Sequence, residues 1–158
     1  MLRHMSSISP EQVRAVVDRF WQIMCGKSGP DDKLEDLYSP DALILTGKAR
    51  KPEAASVALA RRARQAGKDS LVELGAVEIQ IEEPGVAIAA YTYKFHQSRS
   101  SATGGVQKRH LLFGRATQIL QLDRSGVLRI VHEHLSSANN PEVEKAREPV
   151  LHMSGFGD

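Results

Sequence analysis

The segment His132-Glu133-His134-Leu135-Ser136 carries the densest chemistry in this 158-residue sequence. On a strand, His132 and His134 face one way, while Glu133 and Leu135 face the other. A His-x-His pair on one face is part of a metal site that needs a third ligand from elsewhere. No third ligand is visible nearby, and His96 and His110, which flank a loop, are poorly placed to converge on the pair. The preferred reading is structural, with two imidazoles bonding backbone or a second subunit at the end of a sheet. Metal is expected to be none, with His132 and His134 as the alternative. Tyr91, Tyr93 and Phe95 form an aromatic stripe at strand spacing, either core or pocket lining. Trp21 and Tyr38 are the facing wall of such a pocket, or equally core. Asp41, in Ser39-Pro40-Asp41-Ala42, reads as a turn residue bonding the backbone.

These residues must be positioned by a small set of elements. Ser9-Pro10-Glu11-Gln12 opens a first helix, with Ser9 as N-cap, Pro10 in the first turn and Gln12 closing a capping box. Val13, Val16, Val17, Phe20 and Met24 give it one apolar face, and Gly26 stands at its end. Asp31 and Asp32 can cap a second, short helix carrying Leu34, Leu37 and Tyr38. A brief strand over Ala42 to Thr46 follows. A third, alanine-rich helix is predicted from Pro52 to about Gln65. Beyond Leu71 the period changes to two. Val77, Ile79 and Ile81 alternate with Glu78, Gln80 and Glu82, and Glu83-Pro84-Gly85 turns the chain into a central strand over Val86 to Gln97. Ser98 to Gly105 reads as a loop. A strand from about Val106 to Leu122 follows, then a tight turn at Asp123-Arg124-Ser125-Gly126 and a closing strand to Ser136. Helices first and a four-stranded antiparallel meander last is the α+β pattern. A long sheet covered on one face by three helices curls around them and leaves a pocket between.

Length predicts a single domain over residues 9–137, with an extension at 1–8 and a tail at 138–158 that holds a helical turn or two at Pro141 to Glu148. Apolar residues are 41% and charged residues 25%, the proportions of an ordinary globular chain. A net charge of +2 is too small to steer the chain to nucleic acid or membrane. The single cysteine, Cys25, allows no internal disulfide and fits a reducing compartment. The N-terminus lacks the apolar core of a signal peptide, so the expected location is cytoplasmic. Lys48, Arg50, Lys51, Arg61, Arg62, Arg64 and Lys68 face only Glu53 as a nearby acid. Without interleaved aromatics they read as the solvated outer face of the third helix, and Gly104-Gly105 lacks a phosphate-loop pattern.

Leu37-Tyr38-Ser39-Pro40-Asp41-Ala42, Gly47, Arg115-Ala116-Thr117-Gln118, Gly126 and Ile130-Val131-His132-Glu133-His134-Leu135-Ser136 together resemble the nuclear transport factor 2-like superfamily. This is the cone-shaped α+β fold of ketosteroid isomerase and scytalone dehydratase. More narrowly the chain looks like the SnoaL-like branch. It is also similar to the association (hub) domain of calcium/calmodulin-dependent protein kinase, which ends in a Val-His-x-His-x-Ser strand. The resemblance covers about Pro10 to Ser137. It implies a cystatin-like cone with an internal pocket, no cofactor, and a host fold for isomerases, dehydratases, cyclases and non-catalytic association modules.

The same resemblance places Glu133 and Leu135 on the pocket face with Tyr91, Tyr93, Phe95 and Gln118. Glu133 is then a candidate general base, with Tyr91 or Tyr93 stabilising an enolate oxygen. The plainer alternative is a Glu at a sheet edge paired with Arg129 or Arg115. Hub domains carry pocket arginines at positions that correspond to Tyr93, Gln118 and Leu135 here, none of them cationic. No set matches the acid, Tyr and Asp of ketosteroid isomerase. The expected ligand is small, organic and mostly apolar, and the expected chemistry is proton transfer or hydration. The opposing reading is an association module with a vestigial or regulatory pocket. An outer sheet face carrying Thr117, Ile119, Ile130 and the His pair predicts a homodimer.

Overall fold

The computed structural model describes residues 7–47, 51–65, 69–82, 84–99 and 108–138. The first helix, α1 (Pro10–Met24), starts with the cap its sequence predicts. The Ser9 hydroxyl accepts from the Gln12 backbone N–H at 3.2 Å, and the Gln12 side chain accepts from the Ser9 N–H at 2.9 Å. Val13, Val17, Phe20, Trp21, Ile23 and Met24 are buried on one side of it. Gly26, at φ +70°, turns the chain out of the helix in a conformation that glycine adopts without strain.

The expected second helix is a single 3-10 turn, Leu34–Leu37. It stops because Tyr38 already has extended backbone (φ −116°, ψ 147°) and pairs with the sheet. Pro40 holds the residue before it extended as well. The chain therefore has two α-helices among the described residues, not three, and its first strand, β1 (Tyr38–Thr46), begins four residues earlier than expected. The short β2 (Glu53–Ala54) pairs back on β1, so the second helix, α2, spans Ala55–Gln65 and does not start at Pro52.

The remaining strands are β3 (Leu71–Leu74), β4 (Glu78–Glu82), β5 (Val86–Arg99), β6 (Lys108–Leu122) and β7 (Leu128–Ala138). The sheet order is β2-β1-β7-β6-β5-β3, and β4 shares the free edge of β5 with β3. The sheet is mixed and not antiparallel throughout, because β1 runs parallel to β7. A parallel neighbour needs a long crossover, and the whole chain between β1 and β7 serves as one. The β6–β7 turn has the predicted chemistry. Asp123 Oδ1 accepts from the Ser125 and Val127 N–H groups, and Gly126 sits at φ +83°.

One face of the sheet packs on α1 and α2. Ala87, Ala89, Tyr91, Tyr93, Phe95, Ala116, Leu120 and Ile130 are buried there. The sequence puts Ile130 on the outer face with the His pair, but its side chain is fully buried. Leu120 pairs with Ile130 while Ile119 pairs with His132, so β7 carries one extra residue, Val131. A bulge of one residue reverses the alternation, turning Ile130 in and His132 out.

The Ser98–Gly105 loop from residue 100 on, including Gly104-Gly105, lies outside the described residues. So do Glu83 of the β4–β5 turn, Lys48, Arg50 and Lys68 of the basic stretch, and the 139–158 part of the tail. Among the described residues no helix is long and apolar enough to cross a membrane.

Candidate functional site

The inner face brings Tyr38, Arg62, Gln118 and Glu133 together from four elements. Glu133 (β7) is completely buried. Its Oε1 accepts from Arg62 Nη1, and its Oε2 accepts from the Tyr38 hydroxyl at 2.5 Å and from Gln118 Nε2 at 2.8 Å. Arg62 Nη1 also donates to the Tyr38 oxygen at 3.1 Å. A second line of bonds leads away from the carboxylate. The Tyr91 hydroxyl donates to Gln118 Oε1 at 3.0 Å, and Trp21 Nε1 donates to the Tyr91 oxygen at 3.0 Å. Trp21 on α1 is thus tied to Glu133 across the domain through two side chains.

The cluster's electrostatics follow from its dryness. Burial raises the Tyr38 pKa well above its ordinary value, and the neighbouring Glu133 charge raises it further. Burial acts to lower the pKa of Arg62, but the Glu133 carboxylate and the Tyr38 oxygen outweigh it and hold the guanidinium charged. The Tyr91 pKa is raised, chiefly by burial, and that of Tyr93 is pushed up to about 12 by the same cause. All three hydroxyls therefore keep their protons at neutral pH and act as donors.

Arg62 has one feature the rest of the cluster lacks. Its second terminal nitrogen, Nη2, is buried and nothing among the described residues accepts from it. The Phe20 ring lies 5.9 Å from the guanidinium carbon, a cation–π contact. The plainer partners foreseen for Glu133 are elsewhere. Arg129 bonds Asp123 at 2.8 Å, and Arg115 is exposed on the opposite face.

The sequence reads Arg62 as part of a solvated helix face, and its burial corrects that reading. Its spacing held the clue. Among the described side chains of α2 the buried ones are Ala55, Ala58, Leu59 and Arg62, the last three standing three, four and seven positions on from the first. Arg62 continues an apolar stripe. Arg61 is turned out and forms two bonds, at 2.8 and 2.9 Å, with Glu53.

Trp21, Tyr93 and Phe95 fill the room between α1 and the sheet. The Trp21 ring is 4.7 Å from that of Tyr93 and 5.5 Å from that of Phe95. The Tyr93 ring lies flat across Gly114, where a Cβ would overlap it, and its hydroxyl donates to the Ser136 carbonyl at 3.3 Å. Leu135 packs partly buried against the same core. His132 is half-buried and His134 exposed on the outer face. Among the described residues no group of three or more His, Cys, Asp or Glu side chains is arranged to hold a metal ion.

No protein-family model matches the sequence, and no curated sequence matches it. Solved structures do. The CaMKII hub of S. rosetta superposes with a TM-score of 0.63 at 14% identity, over 84% of this chain and 100% of that one. A nuclear transport factor 2-like superfamily protein from Salmonella enterica gives 0.62 at 18% identity, over 83% and 92%. A ketosteroid isomerase-like protein from Erwinia carotovora atroseptica gives 0.60 at 13% identity, over 84% and 100%. At such identities the likeness is one of architecture, and with the mixed sheet wrapped on α1 and α2 it gives this chain the nuclear transport factor 2-like fold.

Proposed function

We propose that this domain binds a small, mostly apolar organic molecule in its interior, in the manner of a SnoaL-like protein, and that Arg62 supplies the polar contact. The observation that carries this reading is the buried Arg62 Nη2, which finds no acceptor among the described residues. Buried donors in folded proteins nearly always find an acceptor, and leaving one unmet costs about 1–3 kcal/mol. A carbonyl or ether oxygen on a ligand recovers that term, and its apolar body enters by displacing the Trp21, Tyr93 and Phe95 rings that fill the room between α1 and the sheet. The role proposed is binding and not proton transfer. Both Glu133 oxygens already accept from Arg62, Tyr38 and Gln118, so the carboxylate faces donors of the protein itself and not a ligand. The Tyr91 and Tyr93 hydroxyls foreseen as enolate donors are already given to Gln118 and Ser136. Catalysis with Glu133 as base requires the ligand to break this set first.

Trp21 is the one tryptophan in the sequence, so its emission reports on the site. Titration with apolar ketones and esters is expected to change that emission saturably. Their hydrocarbon counterparts should bind about tenfold more weakly, because a buried donor stays unmet. Equal binding of ketone and hydrocarbon removes Arg62 from the reading. A panel that leaves both emission and Tm unmoved removes interior binding altogether.

A second reading is favoured by the outer face. Ile88, Ile119, His132 and Leu43 lie in one cross-strand row, and Leu43 is 49% exposed. An association module would pair this row with a second copy of the chain. Sedimentation equilibrium of wild type and Ile119→Glu decides it, through a dimer that the substitution dissociates.

A further inference from the structure

We infer that the outer face of the sheet carries a second binding site, for a small anion borne on an aromatic or apolar body. The site is a groove of about 650 Å³ crossing β3, β5, β6 and β7. That volume is in the range of small-molecule sites.

Two cross-strand rows define the groove. Glu73, Lys94 and Phe113 are lateral neighbours in one, and Thr92, Arg115 and Ser136 in the next. Lys94 and Arg115 are therefore diagonal neighbours on one face, and both are exposed. Like charges this close on a sheet repel unless an anion lies between them. Five ion pairs join other residues, but none among the described residues engages Lys94, Arg115 or Glu73. The Lys94 ammonium instead lies 5.8 Å from the centre of the Phe113 ring. Gly75 leaves the Thr92 hydroxyl free of a neighbouring side chain, since a Cβ there would overlap the Thr92 oxygen. The groove so offers a guanidinium for a fork of hydrogen bonds, an ammonium, hydroxyls from Thr92 and Ser136, and an aromatic wall.

This site is independent of the interior one. Arg115 and Lys94 face away from Trp21, and neither touches the Arg62–Glu133 cluster.

The test is an amide NMR titration of the full chain with benzoate, phenyl phosphate and neutral benzamide. Benzoate or phenyl phosphate is expected to move the Thr92, Phe113, Gly114, Arg115 and Ser136 amides saturably, about tenfold more tightly than benzamide. The tighter of the two anions tells a carboxylate site from a phosphate site. Arg115→Gln should bring the anion down to the benzamide level. Glu73→Gln should tighten it by removing a repulsive charge at the rim. Arg115 is exposed, so an unchanged amide spectrum will show that its variant folds. The proposal is overturned if benzamide binds as well as the anions, or if Arg115→Gln changes nothing. It is likewise overturned if the shifts fall on Trp21 and Tyr91, or if a second copy of the chain covers the groove and no probe moves it.

Discussion

Replacing Arg62 by Met should be among the most damaging single changes in this domain, and pairing it with Glu133→Gln should undo most of the damage. The ion pair is dry on both sides, with side-chain exposures of 6% and 0%. Arg62→Met leaves an ionised carboxylate in the core with only the Tyr38 and Gln118 donors, and breaking a buried pair on one side costs about 3–5 kcal/mol. Glu133→Gln leaves the guanidinium facing a neutral amide, for a similar loss. Two independent losses would sum to about 6–10 kcal/mol, on the order of the whole stability of a domain. In the double variant no buried charge remains, and the amide oxygen introduced by Glu133→Gln still accepts from Tyr38 and Gln118. The double variant is therefore expected to lose only about 1–3 kcal/mol. Urea unfolding, followed by Trp21 fluorescence and far-ultraviolet circular dichroism at neutral pH, gives the four free energies of the cycle. Each single variant should also lower Tm by roughly 10 °C or more. Additivity of the two substitutions to within about 0.5 kcal/mol would refute the argument. So would an Arg62→Met loss below about 1 kcal/mol, far under the cost of stranding a dry charge, since the pair would then not be the mutually dependent one described.

The three tyrosines of the sequence, Tyr38, Tyr91 and Tyr93, all have raised pKa values, burial being the first cause in each. The folded state then holds protons that the unfolded chain releases above about pH 10, so stability is intact below that pH and falls as pH rises beyond it. Absorbance at the tyrosinate band should stay flat until unfolding and then rise for all three at once; one tyrosine ionising near its ordinary pKa in native protein contradicts this. Gly114→Ala should cost about 1–3 kcal/mol by forcing the Tyr93 ring off the sheet, and an unchanged thermal melt would show that the ring is not pinned there. Asp123→Ala should lower Tm at neutral pH, because the turn loses the acceptor for Ser125, Val127 and Arg129. Hydrogen bonds from Ser125 and Arg129 hold the Asp123 carboxyl well below its usual range, so its contribution is present above the ordinary carboxylate pKa and is lost in acid. The gap between variant and wild type should accordingly narrow as pH falls, and a gap independent of pH counts against the turn as its source.

Local signals in the chain were legible because they act over a few residues. The Ser9–Gln12 capping box, the Asp123–Gly126 turn and the two-residue period of β4 each follow from contacts between near neighbours. Strand alternation alone put Glu133 on the face opposite His134. The parallel pairing of β1 with β7 was not legible, since it joins Tyr38 to Ile130, 92 positions apart, and leaves no local mark. Nor was the Val131 bulge, which adds one residue beside Ile130 and turns that residue into the core, because the consecutive apolar pair Ile130-Val131 does not say which of the two faces inward.

The candidate site divides along the same line. The residue types that could do chemistry, Glu133, Tyr38, Tyr91, Gln118 and Trp21, are evident in the sequence, because few side chains carry acids, hydroxyls or amides at strand spacing on an apolar face. Which of them touch, and what neutralises the acid, was decided by the packing of α2 on the sheet. That packing brings Arg62, 71 positions away in the chain, onto the Glu133 carboxylate. A helix stripe read from sequence says only that a position faces inward. Tertiary structure alone supplies the opposite charge that makes a buried arginine tolerable there, and with it the unmet donor on which the functional reading stands.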